Sequence, residues 1–270
     1  MKWLAALTIC LGGAAAAGAA PGTDPDPDPA PQRVVSINLC ADQLAMLIAA
    51  PGQIVSVSWL AADPSVSLMP DEARAIGLND AGAEEVFLQD PDLVLAGPWS
   101  DRATVALLDR LGLRVAEVGA ADSIADLRAE ITAMGALLGQ PERAADVLAR
   151  FDADLAAIPP GRDRLATTYD ANGYASGAGT LAGDVMRRAG LRLLSGDLRI
   201  STGQVPLERL VMAAPELIVT GDRYGGQSQA EAILDHPAFA AVTARRVHIP
   251  DRDWICGLPA IAGTVERLTR

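Results

Sequence analysis

The cysteines Cys40 and Cys256 are the side chains of this chain with the most distinctive chemistry. Three interpretations of them are open. They could form a disulfide, which persists in an oxidising compartment. They could be free thiols that face a ligand, one of them bound to a metal centre. They could also be small apolar residues that are buried without a partner. The sequence alone leaves all three open.

Aromatic residues make up only 4% of the chain, so their positions are informative. Aromatics of a hydrophobic core are expected within strands and helices, as we predict for Phe87 and Phe151. In open α/β sheets, by contrast, ligands bind beyond the carboxyl ends of the strands. We therefore predict that most of the aromatic residues at or just after predicted strand ends line a ligand cleft. Five aromatics are in such positions: Trp59, Trp99, Tyr174, Tyr224 and Trp254.

Three charged residues of the same loops are candidate polar anchors for a ligand: Arg223, Arg252 and Asp253. A few polar groups in an aromatic pocket fix the orientation of what binds there. The alternative for each of them is an ordinary solvated charge on a surface loop.

The sequence argues against a metal site, hydrolase chemistry and nucleic-acid binding. The chain has two histidines, His236 and His248, and neither is spaced from other ligands as in a metal site. The Gly-x-Ser-x-Gly turn of α/β hydrolases is absent, since the nearest stretch, 175–179, lacks the first glycine. A net charge of −12 disfavours nucleic acid as a partner. We predict a protein that is not an enzyme and that holds no resident metal or cofactor.

The elements that would position these residues alternate between strand and helix. Short apolar strands and helices alternate over 33–118 and again from 164 to the C-terminus. Between them, 123–158 shows helical spacing of apolar residues, with Ser123 as a cap and Pro141 opening a second helix. The pattern predicts an α/β protein with two similar lobes, largely parallel sheets, a long helical connector and a ligand cleft between the lobes.

An internal repeat supports the two lobes. Residues 84–97 (EEVFLQDPDLVLAG) align without a gap on 208–221 (ERLVMAAPELIVTG), at an offset of 124. Glutamate, proline, leucine and glycine coincide, and the apolar positions match in type. The alternative is that any helix–proline–strand–glycine unit of an α/β protein looks alike.

The N-terminus resembles an export signal, because Lys2 precedes an apolar run and small residues follow it. We predict a signal peptide over 1–19, a disordered proline- and aspartate-rich tail over 20–32, lobes over 33–121 and 161–270, and a connector over 122–160. The alternatives for the first segment are an uncleaved anchor and lipidation at Cys10.

The export signal, the lobes and the helical connector together resemble a periplasmic binding protein of an ABC importer, in the helical-backbone class that serves cobalamin, haem and ferric siderophores. Three stretches carry the resemblance: 33–44 (RVVSINLCADQL), 90–94 (DPDLV) and 247–254 (VHIPDRDW). The resemblance implies a periplasmic monomer that captures a corrinoid, or else a haem or ferric siderophore, between its lobes. The ligand-binding residues it suggests are Cys40, Trp59, Trp99, Tyr174, Arg223, Tyr224, Asp253, Trp254 and Cys256.

The family also implies docking onto an inner-membrane permease through one acidic residue on each lobe. The matching residues are Glu84 and Glu208, which are equivalent in the repeat. The alternative is that both are ordinary carboxylates in the first turn of a helix, favoured by the helix dipole. Two other functions compete with transport as a whole: a periplasmic enzyme, and a sensor or partner-binding module built on the same fold.

Overall fold

The computed structural model describes residues 29–224 and 228–270, and in these ranges each half of the chain builds a parallel sheet. The first sheet has the order β3-β2-β1-β4-β5 and the second has the order β11-β10-β6-β8. The first contains β1 (Val34–Ser36), β2 (Ile54–Ser58), β3 (Leu78–Asn79), β4 (Leu93–Ala96) and β5 (Val115–Glu117). The second contains β6 (Arg164–Thr168), β8 (Leu191–Leu193), β10 (Leu217–Thr220) and β11 (Arg245–His248), and a short antiparallel pair is formed by β7 (Tyr174–Ala175) and β9 (Gly203–Gln204).

Helices connect the strands, as parallel neighbours require. In the first half they are α1 (Leu39–Ile48), α2 (Pro70–Ile76), α3 (Ala83–Leu88) and α4 (Arg102–Arg110). Two helices follow, α5 (Ile124–Leu137) and α6 (Pro141–Ala157). The second half contains α7 (Leu181–Arg188), α8 (Leu194–Asp197), α9 (Leu207–Ala213), α10 (Pro237–Ala240) and α11 (Ile261–Thr269). None of the helices in the described ranges has the length and hydropathy needed to cross a bilayer.

The four strands of the second sheet have the same order as four of the five strands of the first, which confirms the predicted pair of similar α/β lobes. β1 pairs with β2 and β4, and β4 also pairs with β5. In the same way β6 pairs with β8 and β10, and β10 also pairs with β11. The two halves of the sequence repeat are α3–β4 and α9–β10, so each contributes the same interior strand to its own lobe.

The segment predicted as the helical connector contains α5 and α6. The Ser123 hydroxyl accepts a hydrogen bond from the Asp126 amide (3.1 Å), and Pro141 occupies the first turn of α6. The predicted signal peptide lies outside the described residues, as does most of the predicted tail. The last tail residues lie on the N-terminal lobe, where the Pro31 carbonyl accepts a hydrogen bond from the buried Gln53 side chain (2.7 Å).

One continuous hydrophobic core runs through both lobes and the connector. It contains Leu44 and Ile48 of α1, Leu127 and Ile131 of α5, and Phe151 of α6, all of them buried. From the C-terminal lobe it contains buried side chains of α7, β10 and α11: Val185, Met186, Val219, Val265 and Leu268. Each such side chain contributes about 1.5–3 kcal/mol by leaving water. The lobes are therefore packed onto a shared helical layer.

A disulfide between Cys40 and Cys256 adds a covalent tie between the lobes. Their Cα atoms are 5.1 Å apart, and the residues are separated by 216 positions. Cys40 lies in the first turn of α1, whose N-terminus is capped by the Asn38 side chain. Cys256 lies in the loop that leads to α11 and is buried. Of the three interpretations of these cysteines, the structure has the disulfide.

Removing this disulfide should destabilise the protein, because an open chain gains more entropy on unfolding than one closed into a long loop. We expect the Cys40→Ser/Cys256→Ser double variant to lose roughly 2–5 kcal/mol of unfolding free energy. Urea unfolding of wild type and variant, each with and without dithiothreitol, measures the effect. Dithiothreitol should shift the wild type and leave the double variant unchanged, and equal curves for all four samples would contradict the prediction.

A buried carboxyl group lies behind the carboxyl end of β2. Asp42 of α1 is fully buried, and its Oδ2 accepts hydrogen bonds from the backbone N–H (3.2 Å) and the hydroxyl of Ser58. Burial raises the pKa of Asp42 to about 6, and the hydrogen bonds from Ser58 only partly oppose the rise. The folded protein therefore holds this proton more tightly than the unfolded chain does.

We expect Asp42 to lower stability as the pH rises from about 4 to about 6, since the folded-state pKa lies above the unfolded one. The loss should reach roughly 3 kcal/mol and stay constant above that range. Asp42→Asn should remove this slope from a plot of unfolding free energy against pH. The matched control is Asp146→Asn, at an exposed position of α6, which should keep the slope. A slope that persists unchanged in Asp42→Asn would refute the assignment.

Candidate functional site

The lobes meet along a cleft lined by loops that follow the strands. The N-terminal lobe contributes the segments after β2, β4 and β5, and the C-terminal lobe contributes those after β10 and β11. These loops enclose two neighbouring cavities, and Ile255 lines both of them. Both cavities join residues of the two lobes, as expected for a ligand site at the carboxyl edges of facing sheets.

The larger space, which we call the tyrosine cavity, has a volume of about 510 Å³. The N-terminal lobe lines it with residues 64–66 and the C-terminal lobe with residues 222–224 and 250–252. Tyr224 is 76% exposed, so its ring is available to a ligand. Arg252 crosses the cleft here, because its guanidinium donates a hydrogen bond to the Pro64 carbonyl (2.9 Å).

The smaller space, which we call the tryptophan cavity, has a volume of about 190 Å³. Trp99, which is 75% exposed, lies on the N-terminal side, and the half-buried Trp254 lies on the C-terminal side. The Cys40–Cys256 disulfide lines the same cavity. Glu130 of α5 also reaches it, so the connector contributes to the wall. Two large aromatic faces and an apolar disulfide suit a flat, partly apolar ligand.

The structure brings six of the nine predicted ligand residues into these cavities. Trp99, Trp254 and both cysteines line the tryptophan cavity, while Arg223 and Tyr224 line the tyrosine cavity. The other three, Trp59, Tyr174 and Asp253, line neither cavity.

Those three residues have local surroundings of their own. Trp59 begins a 3₁₀ turn after β2 and is 52% exposed. Tyr174 lies in β7, where its hydroxyl accepts a hydrogen bond from Thr202 (3.0 Å). Asp253 forms an ion pair with Arg267 of α11, which anchors the loop to the last helix. For them, a position after a predicted strand does not bring the side chain to a cavity.

Arg223 lines the tyrosine cavity, but its charge is already paired. Its two Nη atoms donate to both carboxylate oxygens of Asp235 (2.9 and 2.8 Å), and its Nε donates to Glu231 (3.2 Å). Glu231 is buried, so this pairing fixes the 3₁₀ segment that contains it. Arg223 thus supports the cavity wall and presents little free positive charge to a ligand.

Carboxylates dominate the charge at the edge of the second sheet. Asp251 and Asp222 exchange hydrogen bonds through their backbone amides (2.9 and 3.3 Å), and Asp222 also contacts His248 Nε2 (2.9 Å). Asp170 accepts from the Gly221 amide (2.8 Å). Burial raises the pKa of Asp251, and the neighbouring Asp222 charge raises it further. Burial likewise raises the pKa of Asp170.

Two glycines that are equivalent in the repeat make room for these polar side chains. A Cβ on Gly97, after β4, would lie 2.6 Å from the Asn38 side chain that caps α1. A Cβ on Gly221, after β10, would lie 2.7 Å from Asp251 Oδ1. The two lobes thus use one device, an absent side chain at the end of an interior strand, to bring a neighbouring polar group over the strand end.

Several cavity residues were not among the predicted ligand residues. Glu130 gives no signal in the sequence, because it lies on a helix with ordinary amphipathic spacing and reaches the cavity only through tertiary packing. Ile255 and residues 64–66 lie in loops without distinctive residue types. Asp251 could have been found, since it belongs to the same post-strand motif as Trp254. Arg252 was a candidate anchor, and its observed partner is a backbone carbonyl of the other lobe.

The predicted docking glutamates Glu84 and Glu208 are exposed in the first turns of α3 and α9. One aromatic prediction was wrong: Phe151 is buried in the core, but Phe87 is 45% exposed, because α3 is short and only its Val86 is buried. Within the described residues, no group of three or more histidine, cysteine, aspartate or glutamate side chains is placed to hold a metal ion.

Comparison with known proteins agrees with this architecture. The chain is 28% identical over 202 residues to a cobalamin-binding protein of Halobacterium salinarum; the match covers 71% of this chain and 54% of that protein, so the chain spans about half the length of this relative. Its fold resembles a possible iron-binding periplasmic solute-binding protein of Staphylococcus epidermidis, with a TM-score of 0.71 and 20% identity over 88% of this chain and 97% of that one. It also resembles a periplasmic heme-binding protein of Pseudomonas aeruginosa, with a TM-score of 0.65 and 22% identity over 88% and 91% of the two chains.

The family model for periplasmic binding proteins matches residues 34–248, which include every strand of the two parallel sheets and the connector and end before α11. The chain therefore belongs to the periplasmic binding protein family.

Proposed function

We propose that this protein is the periplasmic solute-binding component of an ABC importer, and that it captures a corrinoid in the cleft and delivers it to an inner-membrane permease. In this role the protein performs no chemistry on its ligand. The cleft contains aromatic faces, hydrogen-bonding groups and carboxylates, and ligand-binding sites typically combine such groups. The predicted signal peptide and the membership of the periplasmic binding protein family both support export to the periplasm.

One observation carries the choice of ligand: the cleft is aromatic, its carboxylates outnumber its arginines, and Arg223 is already paired with carboxylates. Asp122 and Glu130 line the tryptophan cavity, while Asp222 and Asp251 line the tyrosine cavity. Arg223 is held by two carboxylates, and Arg252 contacts the Pro64 carbonyl. A corrinoid is a flat macrocycle with neutral amide side chains and a cationic cobalt centre. It suits such a cleft better than a ligand with several free carboxylates, which would meet repulsion.

The cobalamin-binding protein of Halobacterium salinarum supports this choice, as a relative whose matched region covers most of this chain. The solved structures support the fold but differ in the ligands that their names state, iron in one case and heme in another. The choice between ligands therefore depends on the side chains of the cleft.

Haem or a ferric siderophore is the second candidate, and Tyr224 favours it. The phenol oxygen of tyrosine binds ferric iron, as in some haem proteins. Tyr224 is exposed in the tyrosine cavity, where an iron centre could approach it. The acidic lining argues against haem, since its two propionates would need positive partners in the cleft.

The first test is a titration of the oxidised, exported protein with aquocobalamin, cobinamide, haemin and a ferric hydroxamate, followed by absorbance and calorimetry. We expect saturable binding of one corrinoid per chain at micromolar concentration or tighter. Binding of haemin that is lost in Tyr224→Phe, with no binding of either corrinoid, would replace the proposed ligand by the second candidate.

We expect Trp99→Ala to weaken corrinoid binding about 5- to 30-fold, because a large aromatic face stacked on the macrocycle contributes about 1–2 kcal/mol. The matched control is Trp59→Ala, which removes an exposed tryptophan that lines neither cavity. Calorimetry measures both variants without relying on tryptophan fluorescence. Equal losses in the two variants would contradict the assignment of the tryptophan cavity.

The acidic lining predicts a charge effect. We expect Glu130→Gln to weaken binding of cationic aquocobalamin about 2- to 5-fold while changing binding of neutral cyanocobalamin little, since removing one nearby carboxylate costs only a cationic ligand. Glu142→Gln, at an exposed position in the first turn of α6, is the control. If Glu130→Gln affects both corrinoids equally, the charge argument fails.

A further inference from the structure

Four large apolar or aromatic side chains stand out within the described residues, because each is at least 74% exposed. Trp99 (75%) and Tyr224 (76%) line the two cavities of the cleft, and this position accounts for their exposure. The other two, Leu88 (74%) and Met212 (84%), lie outside the cleft. Side chains of this kind exposed singly need no explanation, but a matched pair does.

Leu88 and Met212 are equivalent in the internal repeat. They are 124 positions apart, the offset that also relates Glu84 to Glu208. Leu88 is the last residue of α3, and Met212 lies in the last turn of α9. The residues before them, Phe87 (45%) and Val211 (43%), are also equivalent and also exposed. Both lobes thus repeat an exposed apolar pair as well as an exposed acid.

On each helix the acid and the apolar pair form a compact patch. Leu88 lies four positions after Glu84, so their Cα atoms are about 6 Å apart along the axis, roughly one turn of helix. The same spacing separates Glu208 from Met212. Neither glutamate forms an ion pair with any described residue. We call these two groups, Glu84 with Phe87 and Leu88, and Glu208 with Val211 and Met212, the paired patches.

The paired patches differ in shape. The patch on the C-terminal lobe borders an apolar groove of about 750 Å³, whose other walls include Leu207, Ile233 and Ala238. On the N-terminal lobe, Phe87 and Leu88 project from a helix of six residues. Both helices precede an interior strand of a parallel sheet and connect to it by a short turn. Their first turns, with the glutamates, therefore lie toward the carboxyl edges of the sheets, where the cleft opens.

We propose that the two exposed apolar pairs, Phe87 with Leu88 and Val211 with Met212, are contact sites for a two-fold symmetric permease, so that each half of the permease meets an apolar pair beside the docking glutamate. This proposal rests on the proposed transport function and adds the apolar side chains to the docking surface. Unpaired carboxylates select positive groups on the partner. A repeated patch, one on each lobe, matches a partner whose own contact site occurs twice, related by a two-fold axis. The exposed apolar pairs supply the buried area that two ion pairs alone would lack.

The test measures binding of the exported protein to the cognate permease–ATPase complex reconstituted in nanodiscs, by biolayer interferometry. We expect Leu88→Ser and Met212→Ser each to weaken binding about 5- to 20-fold, and the double variant to weaken it more than either. The control is Leu111→Ser, which changes a leucine of similar exposure to Phe87 at the end of α4, outside the paired patches. Thermal unfolding shows whether each variant is folded.

The outcomes separate this proposal from the transport function on which it rests. Binding lost in Glu84→Gln/Glu208→Gln but unchanged in Leu88→Ser/Met212→Ser would overturn the apolar contribution and leave the docking function intact. Failure of the wild type to bind the complex, with corrinoid binding present, would overturn both docking and this proposal while leaving ligand capture. A concentration-dependent dimer in sedimentation that disappears in Leu88→Ser/Met212→Ser would assign the patches to a second copy of the chain and would overturn the permease as their partner.

Discussion

The packing of both lobes onto one helical layer is the constraint on which the rest of this structure depends. Helices α5 and α6 share a single hydrophobic core with α1 of the first lobe and with α7 and α11 of the second. Opening the lobes widely would expose side chains such as Leu127 and Phe151, and each of them contributes about 1.5–3 kcal/mol by its burial. The Cys40–Cys256 disulfide closes the same seam covalently. The shared core and the disulfide therefore oppose a wide separation of the lobes.

A chain with few aromatics can still form an aromatic cleft, because both lobes contribute residues to the same cavity. Trp99 and Trp254 come from different lobes, and both line the tryptophan cavity together with the disulfide. The two arginines of the tyrosine cavity each have a defined hydrogen-bond partner. Arg223 is used to hold the segment that contains Glu231, and Arg252 spans the seam to the Pro64 carbonyl. Asp122 and Glu130 line the tryptophan cavity, where no arginine is among the described lining residues, and neither carboxylate forms an ion pair with a described residue. The tryptophan cavity therefore carries negative charge.

The internal repeat has consequences at three levels. It contributes the equivalent interior strands β4 and β10, which have corresponding neighbours in their two sheets. It places Gly97 and Gly221 where a side chain would collide with a polar neighbour. It also gives α3 and α9 the same exposed acid and the same exposed apolar pair. Core packing accounts for the matching strands, and the close approach of side chains accounts for the glycines. Neither of these accounts for the third, since exposed leucine and methionine add nothing to the stability of a lobe.

The sequence by itself determined the fold class, the two lobes and the helical connector, because alternating apolar segments and helix signals such as Ser123 and Pro141 act locally. It also predicted that Trp99, Tyr224 and Trp254 lie at the cleft, where they line the cavities, since residues that follow parallel strands gather at one edge of a sheet. The tertiary structure decided which cysteine interpretation holds, and it excluded Trp59, Tyr174 and Asp253 from the cavities. It also showed that Glu130 and Ile255 line the cavities and that the Phe87 side chain is exposed. These outcomes depend on contacts between residues far apart in the chain, and such contacts leave no periodic or compositional trace in a single sequence.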